Sequence, residues 1–139
     1  MGYLDQYGVV ESRRERILKR ALLLLIATAA VVGGLYYGFK NYPQERRARE
    51  FLAVIERGDY PAAYDYWGCK VETPCPNYDY QSFLEDWGPS SKIGKVRSFR
   101  LADSTARGSG VVVSVVVNSQ PEIRLWVEKR NGVVGFSPF

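Results

Sequence analysis

From Ala21 to Phe39 the chain reads ALLLLIATAAVVGGLYYGF, nineteen residues without a charge. As a helix rising 1.5 Å per residue, that run is about 28 Å long, close to the roughly 30 Å hydrocarbon core of a bilayer. A domain small enough to fit in the remaining residues could not surround so long an apolar helix, so a buried core helix is a poor reading. Tyr36, Tyr37 and Tyr42 sit at one end, where an aromatic belt would lie, and Lys40 and Pro43 stop the run. Two readings remain: an uncleaved transmembrane helix over 18–40, and a signal peptide cut after Ala27-Thr28-Ala29. Cleavage there would leave a short apolar core and a mature chain that starts with more apolar residues, so the span is the better fit. No cysteine directly follows the run, which excludes a lipoprotein signal. Ser12-Arg13-Arg14 is similar to a twin-arginine signal, but Arg16 stands where such signals carry an aromatic.

Orientation rests on two arguments. Arg13, Arg14, Arg16, Lys19 and Arg20 precede the run, and Lys40, Arg46, Arg47 and Arg49 follow it, a narrow excess on the N-terminal side. Cys69 and Cys75 are the only two cysteines and bracket KVETP. That spacing reads as a small disulfide loop in an oxidising compartment; the alternative is a pair of buried free thiols. Two thiolates without histidine make half of a tetrahedral metal set, and C-x5-C is not the redox C-x-x-C, so neither a metal nor a cofactor is expected. Both arguments put residues 1–17 in the cytoplasm and residues 41–139 outside it, in the periplasm if the membrane is a bacterial inner membrane. The tail over 1–16 is too short to fold alone and reads equally as a frayed end or as a docking peptide.

Composition narrows the functional classes. The chain has no histidine, which removes Ser-His-Asp hydrolysis and His-dependent zinc chemistry. Residues 43–139 hold thirteen basic and twelve acidic groups, so the nucleic-acid-binding footprint of a strongly basic domain is missing.

Within residues 41–139 the apolar period is first helical, then two. Ala48, Phe51, Leu52 and Ile55 share one face, and Gly58 ends that helix. Asp59 caps a second, with Tyr60, Ala63, Tyr64 and Trp67 as its stripe; Asp79 caps a third, with Tyr80, Phe83, Leu84 and Trp87. Strands are expected over Lys95–Ala102, with Arg97, Phe99 and Leu101 on one face, over Val111–Val117, from Pro121, with Ile123, Leu125 and Val127 alternating with Arg124, Trp126 and Glu128, and over Val133–Phe136. Gly108-Ser109-Gly110 and Asn131-Gly132 supply hairpin turns. The expected fold class is α+β: a transmembrane helix, then three short helices packed on a four-stranded antiparallel curved sheet.

The segment FLAVIERGDYPAAYDYW, the later FLEDWGPSSKIGKV and the closing IRLWVEKRNGVVGF together resemble the nuclear transport factor 2-like, or cystatin-like, superfamily over about residues 44–139. The resemblance implies a cone of curved sheet over helices, in a superfamily that holds enzymes, ligand binders and assembly modules. Membrane-anchored relatives include the VirB-type inner-membrane component of type IV secretion, which has a similar plan of tail, span and external domain. The last two strands also resemble bacterial cytochrome-oxidase assembly proteins.

Three functional readings follow. Enzymatic use would need Tyr64, Asp65, Tyr66 or Asp86, but Asp65 and Asp86 fall off the apolar stripes and match no catalytic motif, so no catalytic residue is expected. An apolar ligand would sit in the cone against Tyr64, Trp67, Phe83 and Trp87. The favoured expectation is a non-enzymatic accessory, assembly or scaffold subunit in the bilayer, bound to other membrane-protein subunits or to a second copy. Gly33, Gly34 and Gly38 would let a neighbouring helix approach the span. Val112, Val116 and Trp126 would form a partner face, because both alternating sets of VVVSVVV are mainly valine and only one can face the helices.

Overall fold

The computed structural model describes residues 3–139, with side chains from Ser12 onward. It divides at Lys40/Asn41 into two compact units.

The first unit is one helix, α1 (Tyr3–Phe39). It starts well before the apolar run, so the expected tail continues the helix instead of standing apart from it. Glu15 and Lys19, one turn apart, form an ion pair at 3.1 Å on this stretch. From Leu22 to Leu35 the leucine, isoleucine and valine side chains are 55–69% exposed. The helix is long and apolar enough to cross a membrane. Thr28 Oγ1, the one aliphatic hydroxyl in the run, donates to Leu24 O at 2.8 Å, so that polar group is satisfied inside the helix.

The second unit holds α2 (Tyr42–Glu56), α3 (Tyr60–Tyr66), α4 (Tyr80–Trp87) and four strands: β1 (Phe99–Arg107), β2 (Gly110–Val117), β3 (Ile123–Glu128) and β4 (Val134–Phe136). The apolar stripe of α2 is fully covered at Ala48, Phe51, Leu52 and Ile55. Gly58, at φ +78°, turns the chain so that the Asp59 amide reaches Val54 O at 3.2 Å. Asp59 then accepts from the Ala62 amide and Asp79 from the Ser82 amide, which caps α3 and α4.

The strands form an open antiparallel meander in the order β1-β2-β3-β4. Helix α2 touches all four strands, α3 packs on α2, and α4 packs on α3. Val111, Val113, Val115 and Val117 face the helices and are fully buried. The first strand departs from expectation. It begins at Phe99, and residues 95–98 are held by a side chain instead of a ladder: Asn118 accepts from the Arg97 amide at 2.8 Å and donates to Lys95 O at 2.9 Å. Further along, a bulge at Ala102 shifts the register between Leu101 and Asp103. Unbulged alternation would have put Asp103 opposite Val113 on the core face; the extra residue puts Ser104 there and turns Asp103 outward.

Candidate functional site

The four residues expected to line a cone do come together, but as core. Tyr64, Phe83 and Trp87 have no exposed surface, and Trp67 is half-buried. Phe51 sits among them, with ring centroids 5.2 Å from Trp67, 5.1 Å from Trp87 and 6.4 Å from Phe83. Phe136 of β4 closes the group, stacked on Trp87 at 5.9 Å and edge-on to Trp67 at 5.3 Å. Offset and edge-to-face pairs of this kind add about 0.5–1.5 kcal/mol each beyond their burial. These rings therefore spend their faces on one another. Phe51 belonged to a stripe in the sequence; Phe136 had only its place at the end of a strand to mark it.

Cys69 and Cys75 are joined by a disulfide, with Cα atoms 5.3 Å apart, in the connection between α3 and α4. Tyr64 ties that loop to the core. Its hydroxyl donates to Tyr78 O at 2.6 Å and accepts from the Cys75 amide at 3.2 Å. Tyr78 in turn stacks on Trp67 and donates to Asp86 Oδ2 at 2.7 Å. Burial first, then this hydrogen bond to the carboxylate, pushes the Tyr78 phenol well above its ordinary value of 10.0. The Asp79 carboxyl is held below its ordinary 3.8, chiefly by the hydrogen bond from the Ser82 amide. Of the acid–base groups considered above, Tyr64 and Asp86 are thus occupied in structure, Tyr66 lies under the Arg47 guanidinium at 4.1 Å, and Asp65 is exposed on α3.

The outer face of the sheet carries Val112, Ser114 and Val116 beside Arg124, Trp126 and Thr105. Val112 is 9% and Ser114 7% exposed, because this face has a cover that strand alternation does not reveal. The last residues of the chain fold back over it: the Ser137 amide donates to Arg124 O at 3.0 Å, and the Phe139 ring lies 5.7 Å from Trp126. A depression of about 260 Å³ remains between Val112, Ser114, Arg107, Arg124 and Phe139. Phe139 itself is 61% exposed, so the apolar cover of the face is itself open to solvent.

On α1, a Cβ added at Gly33, Gly34 or Gly38 would meet nothing within 4 Å. Gly34 and Gly38 lie one turn apart on a single stripe.

Comparison with family models, with curated proteins and with solved structures finds no match to this chain.

Proposed function

We propose that this chain is a non-enzymatic single-pass membrane protein. In this reading residues 18–40 span the bilayer, residues 1–17 lie in the cytoplasm, and the unit from Asn41 onward works outside it, as an accessory, assembly or scaffold subunit of a larger membrane complex. The observation that carries the reading is the exposure of α1. Leu22–Ile26, Val31, Val32 and Leu35 are all more than half exposed, while the second unit closes its own core on α2 and the sheet. An apolar surface that long is stable in lipid and costly in water. The Cys69–Cys75 bond supports an oxidising compartment for the second unit.

We also propose that this unit is a short relative of the nuclear transport factor 2-like superfamily. Three helices followed by a meander, with the Gly58-Asp59-Tyr60 turn between the first two helices, support it. The aromatic group favours assembly over ligand binding, because the rings that would wall a cone are packed against each other. The surface left for a partner is the outer sheet face around Val116, Trp126 and Phe139, together with the Gly34/Gly38 stripe of the span.

A reporter fused after Phe139 tests topology: activity only in the non-cytoplasmic compartment is expected, and activity in the cytoplasm would reverse the orientation. Purification from native membranes in mild detergent tests the role. Defined co-purifying subunits that are lost on Trp126→Ala with Phe139→Ala are expected; recovery of the chain as a lone monomer would refute it.

A further inference from the structure

The chain reaches the second unit at Asn41, directly after Lys40, so one residue separates the end of α1 from the first contact of this unit. That contact is with β1: Asn41 Nδ2 donates to Ser104 O at 3.2 Å. Ser104 lies three residues before Arg107, about 10 Å along an extended strand. One and a half turns into α2, Arg47 Nε donates to Gly132 O at 3.0 Å, in the turn between β3 and β4. The two hairpin turns are themselves joined. The Lys129 amide donates to Ser109 O at 3.0 Å, and Ser109 Oγ donates to Glu128 at 3.1 Å. The turns at 107–110 and 129–132 therefore make one edge of the unit, and it is the edge at which the chain arrives.

Three exposed cations occupy that edge: Arg107, Lys129 and Arg130. None of them forms an ion pair among the described residues, whereas Arg46, Arg47 and Arg49 on α2 each pair with Glu45 or Glu50. Glu128, next to Lys129, is half-buried and accepts from Ser109, and Asp103 and Glu122 border the outer-face depression that Arg107 also borders, without forming an ion pair with it. We infer that the edge formed by Arg107, Lys129 and Arg130 rests on the anionic phospholipid headgroups of the membrane that holds α1. The inference depends on the anchor reading above. Asn41, where this unit begins, is bonded about 10 Å along β1 from Arg107, close to the Debye length of about 8 Å at physiological ionic strength. Each Lys or Arg held beside an anionic surface favours the docked state about fivefold, so three amount to about a hundredfold.

The opposite end of the sheet supplies an internal control of equal charge. Lys92, Lys95 and Arg97 are exposed there, beside the loop of Asn118 and Ser119. The full chain is labelled with a small fluorophore at Ser109→Cys or at Ser119→Cys; the native cysteines are bonded to each other and do not compete. Each form is reconstituted in nanodiscs of phosphatidylcholine alone or with phosphatidylglycerol, doped with a headgroup-region spin label that quenches at short range. The Ser109 probe is expected to be quenched more strongly when phosphatidylglycerol is present, and the Ser119 probe not. Salt at about 1 M, where the Debye length is about 3 Å, should abolish the difference. So should Arg107→Gln, Lys129→Gln and Arg130→Gln together, while Lys92→Gln, Lys95→Gln and Arg97→Gln together should not. Hydrogen exchange of the unlabelled chain reads the same two turns and guards against a local effect of the label. Equal quenching in both lipids, equal quenching of both probes, or equal loss from the two triple variants would overturn the docking edge. Flotation with phosphatidylcholine vesicles separates the two ideas: a chain that floats but shows no lipid-dependent quenching loses only the docking edge, and one that fails to float loses the anchor and the docking together.

Discussion

Replacing Cys69 and Cys75 by alanine tests how much the second unit relies on its cross-link. The bond closes a loop of sequence separation 6. In the chain-entropy account, removing a loop of that size frees the unfolded chain by about 2.2 kcal/mol at 25 °C. A second contribution depends on whether the native loop keeps its shape. Cys75 offers its amide to Tyr64 Oη, and Tyr78 accepts from the same hydroxyl, inside a core where Tyr64 has no exposed surface. If the loop frays, that hydroxyl is left buried and unpaired, at a cost of about 1–3 kcal/mol more. The expected loss is therefore about 2 kcal/mol with the loop intact and about 3–5 kcal/mol with it frayed. For a unit of about 100 residues, the smaller figure lowers the melting temperature by roughly 9–18 °C.

Urea unfolding followed by tryptophan fluorescence measures this, since Trp67 and Trp87 both lie in the ring group. Tyr64→Phe, made in the oxidised and in the Ala/Ala background, separates the two contributions. Equal costs in both backgrounds mean that the loop holds its shape without the bond; a smaller cost in the Ala/Ala background means that it frays. A free energy of unfolding that is unchanged within about 0.5 kcal/mol on removing the bond would refute the reasoning. So would stoichiometric labelling of both thiols in the denatured, unreduced chain.

Gly110→Ala should cost about 1–3 kcal/mol in urea unfolding, because an added Cβ would stand 2.4 Å from the Trp126 ring and 2.8 Å from Val127 O, which is backbone and cannot swing away. Arg47→Ala should cost about 2 kcal/mol by the same measurement, through the lost hydrogen bond to Gly132 O and the lost cation–π contact with Tyr66. Tyr78 and Tyr80 are raised above 10.0 in the folded state, each chiefly by burial, so their contribution is fully present below that value and is lost as pH climbs past it. Urea midpoints should fall above pH 10.0, and Tyr78→Phe should flatten that fall.

What the sequence made legible is what short-range chemistry decides. Asp59 and Asp79 cap the helices they precede, and Phe51, Tyr64, Phe83 and Trp87 of the three stripes are buried. The odd valines of β2 turn inward as strand alternation requires. The first strand failed where a long-range partner takes over. Lys95–Ser98 alternates well enough to read as strand, yet Asn118, 20 to 23 residues later, claims its backbone groups. The bulge at Ala102 did leave a trace: the series Phe99, Leu101, Asp103 puts a carboxylate on the core face, and an inserted residue is the cheapest way to remove it.

The surface was legible least, for the same physical reason. VVVSVVV states that two faces are apolar but not that Phe139 returns to cover one of them, because that contact is set by the path of the chain after β4. The basic edge is a sharper case. Arg107 is separated from Lys129 and Arg130 by the whole of β2 and β3, and each sits in an ordinary turn with a net charge no one would remark on. Only the meander brings the turns side by side, and only the Asn41–Ser104 and Arg47–Gly132 bonds, across 63 and 85 residues, place the incoming chain at that end. A domain of nearly balanced charge can thus carry a locally cationic edge. The formal count over residues 43–139 gives a nearly neutral sum, and it is silent about a patch of three charges because a sum discards position.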